Sequence, residues 1–550
     1  MHRTLNMSRV HFWNFIKIRI DALEKEIHIM SLLKNRNRLQ RCLVKIQRHL
    51  KLLSTLRSKD GERIRLLSLL LKKFSHDYES STKSHSLELT EIINILKLFP
   101  ALVLPIELRE ESDVINKAIQ LKKKSHIEKM FRLLQKISCG LEMKWYARGF
   151  VVSMCESEND ILAALHLQKR ALKSQRLPII PLFETEDALN NAFQVITNVL
   201  KLNHGLLYFQ KFKWNNRFEV MLGYSDSAKE NGVLHSKILI SKTVTNLNRL
   251  IQKQNLIPVF FHGSGGSIER GGGSIKEQTA WWPRSALDIF KVTIQGEMVS
   301  RTFSTSEILK GQIQKIVERH SLKLKSNRLS ASENSLLTEF STNVQKEYRR
   351  MIHNSDFLQL IENISPYPYL KLLKIGSRPS RRASTLSIDG LRAIPWILCW
   401  TQMRVLFPVW WGIGSSWKSL SSVEKRHLKT IYKKSALLNA FANQLGFTLK
   451  KVELGVWKLY LRQNKIDLKL AEKMENAFEN EYQGSIKCFV ELTGQKNLLF
   501  HRPWLGESIE LRSPMIHPLN ILQLLAIKRG DTALIRETVT GIACGMLTTG

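Results

Sequence analysis

Six short and almost wholly apolar runs punctuate residues 101–297, each next to a longer segment of helical period. They are ALVLPIEL (101–108), FVVSM (150–154), LPIIPLFE (177–184), FEVMLGYS (218–225), LIPVFFHG (256–263) and FKVTIQGE (290–297). A sheet with one face in water would alternate apolar and polar residues, whereas continuous apolar runs need cover on both faces. The pattern predicts a helix-rich α/β fold in which helices such as Glu158 to Ala171 and Ala188 to Lys201 cover parallel strands. This many repeats favours a (β/α) barrel over an open sheet, and barrel enzymes place their chemistry at the carboxyl ends of the strands. Polar residues stand at those ends here.

Outside the runs the sequence reads as helical. Leu39, Leu43, Ile46, Leu50 and Leu53 recur at three- and four-residue steps with Arg and Lys between them, which predicts amphipathic helices from Ile20 to about Leu70. Lys59-Asp60-Gly61 predicts a turn between them. Beyond Arg301 the pattern is helical again, broken by a polar linker from Ser326 to Ser335 and by the basic loop GSRPSRRASTLS (376–387). The end, RETVTGIACGMLTTG, is apolar and rich in small residues, so it is expected to dock rather than fray. The chain is expected to divide into a basic helical region (1–88), a barrel-type region (89–420) and a C-terminal helical region (421–550).

Charge enters because 84 Lys+Arg against 48 Asp+Glu leave +36, which fits a polyanion, an acidic membrane surface or a small anionic substrate. Residues 1–80 hold +11 and residues 81–550 hold +25, so the excess is spread and forms no basic tail. With no aromatic-rich RNA motif and no DNA-reading helix apparent, nucleic acid is not the expected partner. The most apolar stretch, Ala393 to Trp417, is interrupted by Gln402 and Arg404 before it reaches the roughly 18–20 residues of a membrane span. The start lacks the apolar core of a signal peptide. Cys42, Cys139, Cys155, Cys399, Cys488 and Cys544 lie far apart without a C-x-x-C pair, which argues against a zinc ribbon or a disulfide framework. A soluble, cytoplasmic protein without a membrane partner is expected.

Three motifs carry candidate chemistry. FHGSGGSIERGGG (261–273) is the densest glycine cluster, where backbone amides could converge on an anion beside Arg270, or simply form a tight loop. GYSDSAKENG (223–232) sets Asp226 and Lys229 three apart after a strand: a carboxylate for a hard cation and an amine for a phosphate, or an ordinary polar turn. PLFET (181–185) places Glu184 at another strand end, and two carboxylates at adjacent strand ends would make a hard-metal site. Arg392 and Arg404, set among tryptophans and isoleucines, must either pair with carboxylates or bind a ligand.

These motifs, in this order, resemble phosphoenolpyruvate carboxylase. The match is carried by LREES (108–112), PLFETEDALNNA (181–192), GYSDSAKENG (223–232), FHGSGGSIERGGG (261–273), VTIQGEM (292–298), GSRPSRR (376–382), LRAIPWILCWTQMR (391–404), ESIELRSPMIHPLNILQ (507–523) and TVTGIACGMLTTG (538–550). The resemblance implies a barrel-based, helix-rich fold, usually tetrameric. It further implies carboxylation of phosphoenolpyruvate by bicarbonate to oxaloacetate and phosphate, with Mg²⁺ or Mn²⁺. Residue by residue, it makes Glu184 and Asp226 the metal carboxylates and Lys229, Arg109, Arg270, Arg378 and Arg392 active-site cations. His262, Gly263, Gly265 and Gly266 become the substrate loop. Lys451, Arg512, Arg270 and Thr548 match the positions that bind a dicarboxylate inhibitor.

The departures matter as much. The family's T-A-H-P-T-E segment, whose histidine handles carboxyphosphate, does not occur in this sequence, and His517 belongs to a different motif. Ser264 stands where the family has an arginine, Glu269 where it has a glycine, and Thr548 where it has an asparagine. Two expectations follow: an enzyme that needs a separate N-terminal polypeptide to supply the histidine, or a catalytically dead relative acting as an interaction protein.

Overall fold

The structure, a computed structural model, describes residues 1–30, 35–121, 124–139, 141–265, 273–294, 299, 303–322, 329–372, 393–463 and 466–546. The chain divides into two compact units, Met1–Leu182 with Asn198–Asn215, and Phe183–Thr197 with Asn216–Gly550.

The first unit opens with four helices, α1 (His2–Ile29), α2 (Arg36–Leu52), α3 (Asp60–Thr82) and α4 (Leu87–Leu98). The apolar stripe of α2, Leu39, Leu43, Ile46 and Leu50, is buried against Ile16, Ile20 and Leu23 of α1 and Leu67 and Phe74 of α3 in one core. The expected turn is at Lys59, whose φ of 64° is left-handed, and Asp60 and Gly61 already belong to α3. The reason lies in Arg9. Its guanidinium, fully buried, pairs with both oxygens of Asp60 at 2.9 and 2.7 Å and donates to the carbonyls of Leu53, Ala101 and Leu102. Asp60 also accepts from the Tyr146 hydroxyl at 2.9 Å. Every N–H of the guanidinium is thereby used, which is what makes a buried charge tolerable.

After α4 come β1 (Ile106–Glu111), α5 (Ser112–Gln120), α6 (His126–Ser138), β2 (Ala147–Ser153), α7 (Glu158–Leu172) and β3 (Ile179–Phe183). β1 pairs with β2 and β2 with β3, both parallel, with Leu108 opposite Phe150 and Phe150 opposite Ile179. The first strand lies later than the run 101–108 predicts. Ala101 and Leu102 are taken by the helical core, where their carbonyls meet Arg9 and Leu102 adopts a φ of 48°.

Next follow α8 (Glu186–Leu202), α9 (His204–Phe212), β4 (Arg217–Gly223), α10 (Ser225–Asn231), α11 (Val233–Lys253), β5 (Ile257–Gly263), α12 (Ile275–Thr279) and β6 (Lys291–Val292). β4 pairs with β5 and β5 with β6, again parallel. β6 covers two residues of the predicted run, and 295–297 of that run lie outside the described residues. Strand order follows chain order from β1 to β6. Six such strands among the described residues, with helices between them, make an incomplete (β/α) barrel.

The rest of the second unit is helical, as the sequence predicts, except that the helix Ala331–Ile352 begins inside the stretch 326–335 expected as a linker, because Ser330 and Glu333 form a capping box; 376–387 lies outside the described residues. Its core centres on Phe478, whose ring lies 4.6 Å from Trp411 and 4.8 Å from Trp457, with Trp400 and Phe407 stacked beside it at 4.6 Å from each other. The terminal helix Thr532–Gly545 docks through Ile535, Val539 and Ile542. Among the described residues no helix is long and apolar enough to cross a membrane.

Candidate functional site

The carboxyl ends of β3 and β4 meet in the second unit. A side chain added at Gly223 would put its Cβ 2.2 Å from the Cβ of Glu184 and 2.8 Å from its Cα, so only glycine lets β4 close on that residue. Glu184 is buried at 4 % exposure. From Gly223 the chain turns straight into α10, with half-buried Asp226 in its first turn and fully buried Lys229 one turn later on the same face. The Lys229 ammonium lies 3.9 Å from the Glu230 carboxylate.

Two side chains tie the turn after β3 to α10. Gln345 donates to Glu186 at 2.8 Å and to Asn231 at 2.7 Å. Arg349 does the same at 2.6 and 2.8 Å. Glu186 lies two residues beyond Glu184 and Asn231 five beyond Asp226, so these shared bonds set the two carboxylate-bearing segments side by side. The Tyr348 hydroxyl adds a 3.0 Å bond to the Lys229 carbonyl. Among the described residues no cluster of three or more His, Cys, Asp or Glu is built to hold a metal. Carboxylate oxygens such as those of Glu184 and Asp226 are the donor type that suits an ion like Mg²⁺, which takes one or two carboxylates and fills its shell with water and substrate oxygens.

His262 and Gly263 end β5 in register with Leu222 and Gly223. The His262 ring is fully buried, stacked on Trp282 at 3.5 Å and 8°, with Nδ1 2.7 Å from the Tyr224 hydroxyl. Burial pushes its pKa down to about 3, so the ring is neutral. Its Nε2 is buried and has no hydrogen-bond partner among the described residues. Whichever of the two donates in the Tyr224–Nδ1 bond fixes the tautomer, and with it whether Nε2 offers a proton or a lone pair.

The glycine loop is pinned at both described ends. Ser264 donates to the Gln278 side-chain carbonyl at 3.2 Å, and the Gln278 amide donates to the Gly273 carbonyl at 2.6 Å. The Gly265 amide donates to the Thr293 hydroxyl at 2.9 Å. Tyr224, Trp282, Gln278 and Thr293 were not singled out from the sequence. The tandem Trp281-Trp282 after the glycine loop is the signal in the sequence that could have found the place.

Lys451, Arg512 and Arg404 converge elsewhere in this unit. Lys451 is 2 % exposed, its ammonium 3.4 Å from the Met546 carbonyl, and Arg512 donates to the Gly545 carbonyl at 2.8 Å. Arg404 reaches Ser513 and lies 3.8 Å from Glu453, while its Nε and Nη1 are buried with no hydrogen-bond partner among the described residues. Burial lowers its pKa to about 10. The three cations share a void of about 10 Å³, room for one water. Arg109 is exposed on β1, in the first unit. Gly266, Glu269, Arg270, Arg378, Arg392 and Thr548 lie outside the described residues.

A model of the phosphoenolpyruvate carboxylase family matches residues 100–550. The chain belongs to the phosphoenolpyruvate carboxylase family. The phosphoenolpyruvate carboxylase of Prochlorococcus marinus (strain AS9601) is 31% identical over 408 residues, which are 69% of this chain and 40% of that protein. That of Enterobacter sp. (strain 638) is 31% identical over 427 residues, 73% of this chain and 47% of the relative. That of Synechocystis sp. (strain ATCC 27184 / PCC 6803 / Kazusa) is 29% identical over 464 residues, 73% and 45%. The chain thus spans less than half the length of these relatives.

Helices α1 to α4 precede the matched residues, and Arg9 and Asp60 are what fasten them to Ala101, Leu102 and Tyr146 inside the match. For a phosphoenolpyruvate carboxylase relative, the local departure is Ser264. A short hydroxyl, 1 % exposed and engaged with Gln278, supplies no charge to a phosphate.

Proposed function

We propose that this chain is the ligand-holding portion of a phosphoenolpyruvate carboxylase, and that carboxylation of phosphoenolpyruvate to oxaloacetate needs the T-A-H-P-T-E histidine, which these residues do not contain. The observation behind this reading is the shared clamp of Gln345 and Arg349, which joins the Glu184 turn to the Asp226–Lys229 helix. Glu184 and Asp226 would hold a divalent cation, Mg²⁺ or Mn²⁺, which when bound supplies positive charge against a developing enolate and phosphate. Lys229 sits where its ammonium neutralises a substrate phosphate. The His262 ring, held neutral by burial, would offer its Nε2 to a substrate group without adding charge. By the family resemblance Arg270, Arg378 and Arg392 would add positive charge for the carboxyphosphate and enolate formed when bicarbonate attacks the phosphate. On the same reading the protein works in the cytoplasm as a homo-oligomer, a tetramer as in its family, and feeds oxaloacetate to the tricarboxylic acid cycle.

Ser264 and the Trp282 ring stacked on His262 favour a second reading, a catalytically silent relative that binds but does not turn over. A bicarbonate-dependent oxaloacetate assay separates them. The purified chain alone should show little or no turnover, and adding a polypeptide that carries T-A-H-P-T-E should restore it. Robust metal-dependent turnover by the chain alone would contradict both readings. Silence with the added segment would leave the second.

A further inference from the structure

A cleft of about 950 Å³ opens in the first unit, at the amino ends of β2 and β3. The parallel strands run away from it, so it lies at the end of this module opposite to the strands' carboxyl ends. Its walls combine two chemistries. Trp145 and Trp214 are the aromatic part, with Trp214 backed by Phe209 stacked at 6.0 Å and 18°. Arg65, Lys144, Arg176 and Lys213 are the cationic part, against the single carboxylate of Glu142. Glu142 is already engaged by Lys144, and among the described residues Arg65, Arg176 and Lys213 form no ion pair.

Lys144 shows how the two indoles are set. Its ammonium lies over both rings, 5.2 Å from the Trp145 centroid and 6.0 Å from that of Trp214, so both ring faces turn to one common space. A cation held between two indoles occupies a place that a planar base fills with more contact and less desolvation cost. The Gln175 side-chain amide on the same wall is buried and lacks an acceptor among the described residues, a standing cost that a base carbonyl or ring nitrogen would relieve. Arginines left without carboxylates at the rim are fork-shaped donors for phosphate oxygens.

We propose that this cleft binds a nucleoside monophosphate, the base between Trp145 and Trp214 with its edge on Gln175 and the phosphate among Arg65, Arg176 and Lys213. On binding, the Lys144 ammonium leaves the space between the rings and turns to the phosphate. A sugar phosphate would leave the indoles unused, and a nucleoside would leave the cations unused. The cleft is separate from the carboxylate site and does not depend on the reading given for it.

The test is calorimetric titration of the full chain with AMP, ribose 5-phosphate and adenosine. AMP should bind with micromolar affinity, and each of the other two at least about tenfold more weakly. Trp214→Ala should weaken AMP by about tenfold or more. Because that side chain is half-buried, the exposed pair Arg176→Gln and Lys213→Gln is the second probe, with a comparable loss and no change in thermal stability. Asp226→Asn, at the other site, should bind AMP as wild type does. The proposal is overturned by absence of AMP binding at about 1 mM, by AMP affinity that survives both variants, or by loss of AMP binding in Asp226→Asn. It is equally overturned if a ten-nucleotide thymidine strand binds far more tightly than AMP with a steep salt dependence, which would make the surface a nucleic-acid groove.

Discussion

His262 shows at the residue scale how burial decides chemistry. Free imidazole titrates near pH 6.5 and the folded ring near 3, so between those values the unfolded chain binds more protons than the folded one. Stability from this group is therefore present above pH 6.5 and is lost as pH falls toward 3. Urea unfolding should show wild type losing more stability than His262→Gln between about pH 7 and pH 4, and equal losses would contradict a neutral, buried ring. Lys451 and Arg512 make a second case, since they already bind the Met546 and Gly545 carbonyls around a void with room for one water. With one hydroxyl at Thr548 in place of an amide's donor and acceptor, aspartate or malate should bind only weakly, and tight micromolar binding by calorimetry would argue otherwise. Glu184, Asp226, Lys229 and His262 were legible because strand-end motifs put chemistry on fixed backbone. Gln345 and Arg349 were not, because they come from a helix more than a hundred residues away and carry no motif of their own.

The elements were legible wherever a continuous apolar run or a helical stripe decided burial. The strands from 147 to 263 fall within a few residues of their apolar runs. The first strand is displaced for a reason no local pattern holds: Ala101 and Leu102 are claimed by Arg9, some ninety residues earlier. That contact also predicts a mutational result. Arg9→Ala leaves Asp60 charged and buried, so it should destabilise the first unit by about 3–5 kcal/mol. Arg9→Met with Asp60→Leu should cost much less, because the pair is removed together. Chemical unfolding of the three proteins checks this, and a single substitution no worse than the double would show that the buried pair does not fasten α1 to α3.

For the whole molecule, composition bounded the class but not the arrangement. The excess charge was read as diffuse, yet part of it lines a concave aromatic cleft that only folding assembles from residues 65, 144, 176 and 213. The barrel was legible as parallel strands between helices, and six of them stand in chain order. The central proposal is that Glu184 and Asp226, at the carboxyl ends of β3 and β4, hold a divalent cation. Water-proton relaxation with Mn²⁺ tests it most directly. Wild type should bind Mn²⁺ and Asp226→Asn should lose that binding, whereas Mn²⁺ binding by Asp226→Asn equal to wild type, or none by either protein, would contradict it.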